Sequence, residues 1–237
     1  MEAPACWSAS EEVGVARLGI VTIGQAPRTD MVPRLRPLLG PVEVVEHGAL
    51  DPLGAADIAA LAPEPGEQVL VSRLRDGTSA RLAHDRVEPL VHRAVERAES
   101  AGADATLLVC TGSFGAVEHR RPLLFAERLL VHGVAALAAG MRVGVVCPDA
   151  DQEAMTVDKW RPHTGVPLVA CADPYRHDPA PAVAASARRL AARGAQLVVL
   201  DCMGYAESAR TAAVAAGVPV VLARSLVARM AAELVQR

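Results

Sequence analysis

Residues 101–115 read AGADATLLVCTGSFG, and residues 192–205 read ARGAQLVVLDCMGY. Each stretch runs Gly-Ala, an apolar segment, Cys, one further residue and Gly, with the Cys eight positions after the first Gly. A short run of Leu and Val behind a glycine reads as a strand buried on both faces. The small polar loop after it then lies at the strand's C-terminal end, where open α/β sheets place their ligands. Two thiols at equivalent strand ends, Cys110 and Cys202, predict a site built between two similar halves.

A second echo supports the duplication. Arg17-Leu18-Gly19-Ile20-Val21 is repeated as Arg142-Val143-Gly144-Val145-Val146, so each half opens on a like strand and reaches its Cys strand later. Between these points apolar runs alternate with helical patterns. A helix from Thr29 or Asp30, either of which can cap it, runs to Leu39. Asp76-Gly77 between two apolar-rich runs predicts a β-hairpin over 68–83. Val87, Leu90, Val91, Ala94, Val95 and Ala98 make one face of a helix over 84–101. Further helices are expected over 121–139, 151–160, 179–193 and 206–216, and a last one over 225–234 with Ser225 as its cap.

The expected fold class is α/β: two pseudosymmetric lobes, each with a mainly parallel sheet flanked by helices, and a ligand cleft between them. A tail over 1–14 precedes a first lobe over 15–120 and a second over 121–217. The strand and helix of 218–237 are expected to return to the first lobe.

Composition narrows the function classes. The chain has 237 residues, enough for two lobes of about 100 each. A net charge of −3 gives no electrostatic case for a nucleic-acid partner. No apolar run reaches membrane-spanning length, and the polar start lacks the features of a signal peptide, so a cytoplasmic location is expected. Five scattered cysteines without a CxxC suit neither a disulfide scaffold nor structural zinc, so no metal is expected. Lys159 is the sole lysine and hence the single Schiff-base candidate. With aromatics at 3 %, a pocket here must be lined chiefly by aliphatic, small and polar groups.

The chemistry centres on Cys110 and Cys202 as catalytic residues. Each precedes a Gly-containing loop whose N–H groups can hold an anion. One thiol on each side of a carbon offers a base on one face and an acid on the other, which no cofactor need assist. Sulfurs roughly 7–8 Å apart leave room for that carbon, by the logic that spaces paired carboxylates. Substrate-binding candidates in the flanking loops are Thr22, Gly24, Gln25 and Arg28 after the first strand, with Arg28 able to fork a carboxylate. Thr111, Gly112 and Ser113 follow the first Cys; Met203, Gly204 and Tyr205 follow the second. Asp201 is expected on the opposite strand face from Cys202. Cys147 reads as core packing.

Four segments, in order, resemble the AroM family from about residue 16 onward: IVTIGQAPR at 20–28, the hairpin with Asp76-Gly77, LVVLDCMGY at 197–205 and PVVLARSLVARMAAEL at 219–234. The resemblance implies membership in the aspartate/glutamate/hydantoin racemase superfamily, whose enzymes have two pseudosymmetric lobes and do not use pyridoxal phosphate. The first catalytic Cys of those racemases lies in a Cys-Asn-Thr loop, which falls here on Cys110, Thr111, Gly112 and Ser113. Their second lies in a Gly-Cys-Thr or Gly-Cys-Ala-Gly-Met loop, matched here by Asp201, Cys202, Met203, Gly204 and Tyr205. Asp201 stands where the racemases usually have Gly, Thr111 where they have a substrate-gripping Asn, and the first-strand loop lacks their Asn-rich pattern.

The leading expectation is therefore a cofactor-independent racemase, epimerase or isomerase of a small carboxylate or cyclic amide. Its partner would be a small anionic or amide-containing metabolite, and its assembly a homodimer. One alternative is a lyase or hydrolase that uses Cys202 alone. The other is a non-catalytic protein that binds a small ligand on the same scaffold.

Overall fold

The computed structural model describes residues 15–235; the tail over 1–14, Cys6 with it, and residues 236–237 lie outside that range. The first half contains β1 (Arg17–Thr22), α1 (Val32–Leu39), β2 (Glu43–Gly48), α2 (Ala55–Ala59), the hairpin β3 (Val69–Arg73) and β4 (Ser79–Ala83), α3 (His84–Ser100), β5 (Ala105–Leu108), β6 (Leu123–Phe125) and α4 (Ala126–Leu137). The second contains β7 (Val143–Cys147), α5 (Glu153–Thr164), β8 (Leu168–Cys171), α6 (Ala180–Ala192), β9 (Leu197–Leu200), α7 (Glu207–Val214), β10 (Val220–Leu222) and α8 (Ala223–Val235).

Two parallel four-stranded sheets result, ordered β2-β1-β5-β6 and β8-β7-β9-β10. Read this way the orders superimpose strand for strand. The protein thus consists of two similar lobes, each a parallel sheet flanked by helices. One core joins them: Leu18, Ile20 and Leu107 of the first sheet share a buried cluster with Val145, Trp160 and Val199 of the second half. Separate clusters fill the outer sides, under α3 in the first half and under α6 and α7 in the second. β10 extends the second sheet beside β9, while α8 packs on α1 and α4.

The sequence echo has a physical cause. A Cβ on Gly19 would sit 2.9 Å from the Ala98 Cβ and 3.2 Å from that of Ala103. A Cβ on Gly144 would sit 2.9 Å from the Ala195 Cβ and 3.1 Å from that of Leu190. Both strands therefore need glycine where a helix crosses closely. Helices α3 and α6 each end in a left-handed glycine, Gly102 at φ 83° and Gly194 at φ 93°. The chain then enters its Cys strand with Asp104 N–H bonded to the Arg17 carbonyl at 2.8 Å, and Gln196 N–H to the Arg142 carbonyl at 2.8 Å.

Three local expectations are corrected. The helix expected over 121–139 is a three-residue strand, β6, followed by α4. So short an edge strand joined directly to a helix carries no periodicity of its own. Neither Thr29 nor Asp30 caps α1; its N-cap is Met31, because the Asp30 carboxylate is held by Arg28. Helix α8 starts at Ala223 straight from β10, leaving Ser225 inside it with its hydroxyl bonded back to the Leu222 carbonyl at 3.2 Å.

Substituting Gly19→Ala or Gly144→Ala should each cost about 1–3 kcal/mol through overpacking. The double change Gly19→Ala with Ala98→Gly should recover part of that loss in urea unfolding, whereas Gly144→Ala with Ala98→Gly should not.

Candidate active site

The loops after β5 and β9 enclose one small cavity that both Cys110 and Cys202 line. Its volume is about 40 Å³. Arg28 closes it from the first-strand loop, Leu70 and Ser72 from β3, Lys159 from α5, and Tyr175 from the connection between β8 and α6.

The two thiol loops are built alike. Gly112 N–H donates to the Cys110 sulfur at 3.4 Å, and Gly204 N–H to the Cys202 sulfur at 3.3 Å. The glycine two places after each Cys is also a packing requirement. A Cβ on Gly112 would meet Leu70 Cδ2 at 2.6 Å, and one on Gly204 would meet the Tyr175 ring at 2.7 Å. The C-x-G pattern thus lets a cover residue lie directly on each loop.

The loops are also stitched to each other. Thr111 Oγ1 donates to the Asp201 carbonyl at 3.3 Å. Lys159 Nζ donates to the Thr111 carbonyl at 2.8 Å and pairs with Asp201 Oδ2 at 2.6 Å. Trp160 Nε1 donates to the same Oδ2 at 2.7 Å. Asp201 therefore does not turn away from the thiol side as strand alternation predicts. Strand β9 ends at Leu200, and the lysine and indole beyond it hold the carboxylate against the cavity.

Charge and burial set the thiols' acidity. Burial pushes Cys110 up to about 12; Cys202 and Asp201 act the same way, and the Gly112 N–H and Lys159 oppose them. Cys202 is also raised, chiefly by burial and then by Asp201, against the Gly204 N–H, the Tyr175 hydroxyl and Arg28. Tyr175 is itself raised by burial and by Cys202. Both thiols are protonated at neutral pH.

Of the sequence candidates, Cys110, Thr111, Gly112, Ser113, Cys202, Met203 and Arg28 line the cavity, and Gly204 N–H donates to the Cys202 sulfur. Five candidates sit otherwise than the sequence suggests. Arg28 does not offer a free fork: its Nε and one terminal nitrogen hold Asp30 at 2.8 and 2.9 Å, and its Nη1 donates to Thr22 at 2.9 Å. Thr22 stands behind Arg28, and Gly24 abuts Ser72 rather than the cavity. Gln25 faces away, its side-chain oxygen accepting from the Arg75 N–H at 3.0 Å. Tyr205 is buried, with its hydroxyl donating to the Cys147 carbonyl at 3.0 Å and to that of Ala172.

Sequence reasoning missed Lys159, Tyr175 and Ser72. Only Lys159 carried a signal, as the sole lysine, and it lies buried rather than on an open surface. Among the described residues, no three or more His, Cys, Asp or Glu gather as metal ligands, and no helix is long and apolar enough to cross a membrane.

A family model described as AroM protein matches residues 18–235. Among solved structures, an arylmalonate decarboxylase is similar at 17 % identity and a TM-score of 0.61, over 93 % of this chain and 92 % of that one. The aspartate racemase of Picrophilus torridus is similar at 12 % identity and a TM-score of 0.57, over 93 % and 94 %. The glutamate racemase of Aquifex pyrophilus is similar at 10 % and 0.59, over 93 % and 84 %. At these identities the likeness is one of fold. Comparison with curated proteins finds no match.

If both thiols are protonated, iodoacetamide labelling resolved by mass spectrometry should still accelerate about tenfold per pH unit from 8 to 10 at Cys110, and should still be rising at pH 9 at Cys202. A plateau below pH 9 would show a preformed thiolate. The folded protein holds these protons more tightly than the unfolded chain. Its stability should therefore fall as pH rises above the ordinary thiol range towards about 12, less steeply in Cys110→Ser.

Proposed function

Since the chain belongs to the AroM family, and its fold is that of the decarboxylase and racemases above, we propose that it is an enzyme of carbon-acid chemistry. It forms a carbanion beside a small carboxylate and protonates that carbanion from a cysteine thiol, in the manner of a decarboxylating lyase. The proton transfer asks only for side chains of this chain.

The observation that carries this reading is two thiols, Cys202 buried and Cys110 half-buried, that line one cavity with the largely buried Lys159 and whose surroundings favour the protonated form. A thiol held in its neutral form is ready to give a proton and poorly suited to remove one. In the lyase reaction the bond between the α-carbon and one carboxylate breaks and carbon dioxide leaves. The electron pair stays on the α-carbon, spread onto the carbonyl group that remains. The thiol proton then moves to that carbon, and the thiolate left behind regains a proton from solvent. No base is needed at the start.

Cys202 is the better donor. Its thiolate, once formed, faces the Gly204 N–H, the Tyr175 hydroxyl and Arg28, three groups that stabilise negative charge. Lys159 has one proton left after Thr111 and Asp201, and it supplies the cation for the retained carboxylate. The support from comparison is the decarboxylase match, at a TM-score of 0.61.

Racemisation is the second reading, favoured by one feature: Cys110 lines the same cavity as Cys202. Inversion of a carbon needs one thiol and one thiolate, so either cysteine would be indispensable.

Turnover of small malonates in deuterated water separates the two. Under the lyase reading, Cys202→Ser should lose about 10²–10⁴ in rate, while Cys110→Ser keeps carbon dioxide release and places deuterium on the product. Loss of all deuterium exchange in both variants, with no carbon dioxide released by the parent protein, would establish racemisation instead.

A further inference from the structure

Four buried side-chain polar atoms lack a hydrogen-bond partner among the described residues, and two of them, Ser72 Oγ and Asp201 Oδ1, belong to residues that line the cavity. Both residues are almost wholly buried, at 1 % and 2 % exposure. Buried polar groups are paired in nearly all folded proteins, so two orphans on residues that line one cavity mark what a ligand is built to satisfy.

The inventory describes that ligand. Asp201 Oδ2 is taken by Lys159 and Trp160, so Oδ1 is left as an acceptor seeking a donor. Ser72 brings a hydroxyl that can donate and accept. It sits on β3 where Gly24 leaves space, since a Cβ there would lie 2.4 Å from the Ser72 oxygen. Lys159 keeps one unshared proton for a carboxylate. A ligand that meets all three carries a carboxylate and, near it, a group that both donates and accepts hydrogen bonds.

A hydroxyl or an amide group meets both requirements without adding charge beside the buried Lys159–Asp201 pair.

Resting on the carbon-acid reading above, we propose that Asp201 and Ser72 form a receptor for a neutral hydroxyl or amide group next to the carboxylate held by Lys159. The substrate class is thereby a small hydroxy- or acylamino-carboxylate, in preference to one with a purely hydrocarbon substituent. In both functional readings the receptor fixes which substituent of the reacting carbon faces Asp201, and so which face meets each thiol.

Calorimetric titration with hydroxymalonate and methylmalonate tests this on the whole protein. Hydroxymalonate should bind about ten- to a hundredfold more tightly than methylmalonate, as expected for a hydrogen bond to a charged acceptor. Ser72→Ala, which removes one oxygen from a β-strand, should narrow the preference. Asp201→Asn, with folding checked by circular dichroism, should abolish it. Equal binding of hydroxymalonate and methylmalonate by the parent protein would overturn the receptor and leave the carboxylate reading standing. Binding of neither would overturn both.

Discussion

The site depends on one buried ion pair. Lys159, from the second half, reaches across to the carbonyl of Thr111 in the first thiol loop and to the carboxylate of Asp201 in the second. With the hydrogen bond from Thr111 to the Asp201 carbonyl, it fixes the two loops against each other. Burying two charges costs several kcal/mol, and leaving one without the other is destabilising by about 3–5 kcal/mol. The arrangement is retained where a hydrophobic pair would pack more cheaply. Its return lies in what it presents: a cation, an unpaired carboxylate oxygen and two thiols around one small space.

Around that pair the halves are near copies, and the copying follows from packing. Glycine in β1 and β7 admits a helix at close range, left-handed glycines end α3 and α6, and a glycine two places after each Cys admits a cover residue. The copies diverge where chemistry needs them to. The β3–β4 hairpin belongs to the first half alone, and it supplies Leu70 and Ser72. It is tied to the second half by Gln152 donating to the Val69 carbonyl at 2.7 Å and by Arg81 pairing with Asp149 at 3.2 Å. Tyr175 covers the Cys202 loop alone. Two thiols in equivalent loops thereby acquire different surroundings, and a pseudosymmetric fold gains a site with two distinct faces.

The fold was legible because its determinants are local. Leu-Val runs behind Gly-Ala, the Asp-Gly turn and the apolar face of α3 each declare themselves within a few residues. Both cysteines were legible for the same reason, as strand-end residues in a repeated pattern. Lys159, Tyr175 and Ser72 were not, because they arrive from α5, an inter-element connection and a hairpin whose approach to the site is set by topology. Arg28 illustrates the opposite failure. It reads as a free carboxylate fork, and only the fold brings Asp30 and Thr22 round to occupy its nitrogens. Tyr205 likewise reads as a loop residue until the carbonyls of Cys147 and Ala172 are seen to hold its hydroxyl.

The measurement that bears most directly on the account is a crystal structure with hydroxymalonate bound. The account requires the reacting carbon to lie against the Cys202 sulfur, with one carboxylate on Lys159 and the hydroxyl on Asp201. A ligand seated elsewhere, or a central carbon out of reach of the Cys202 sulfur, would contradict it.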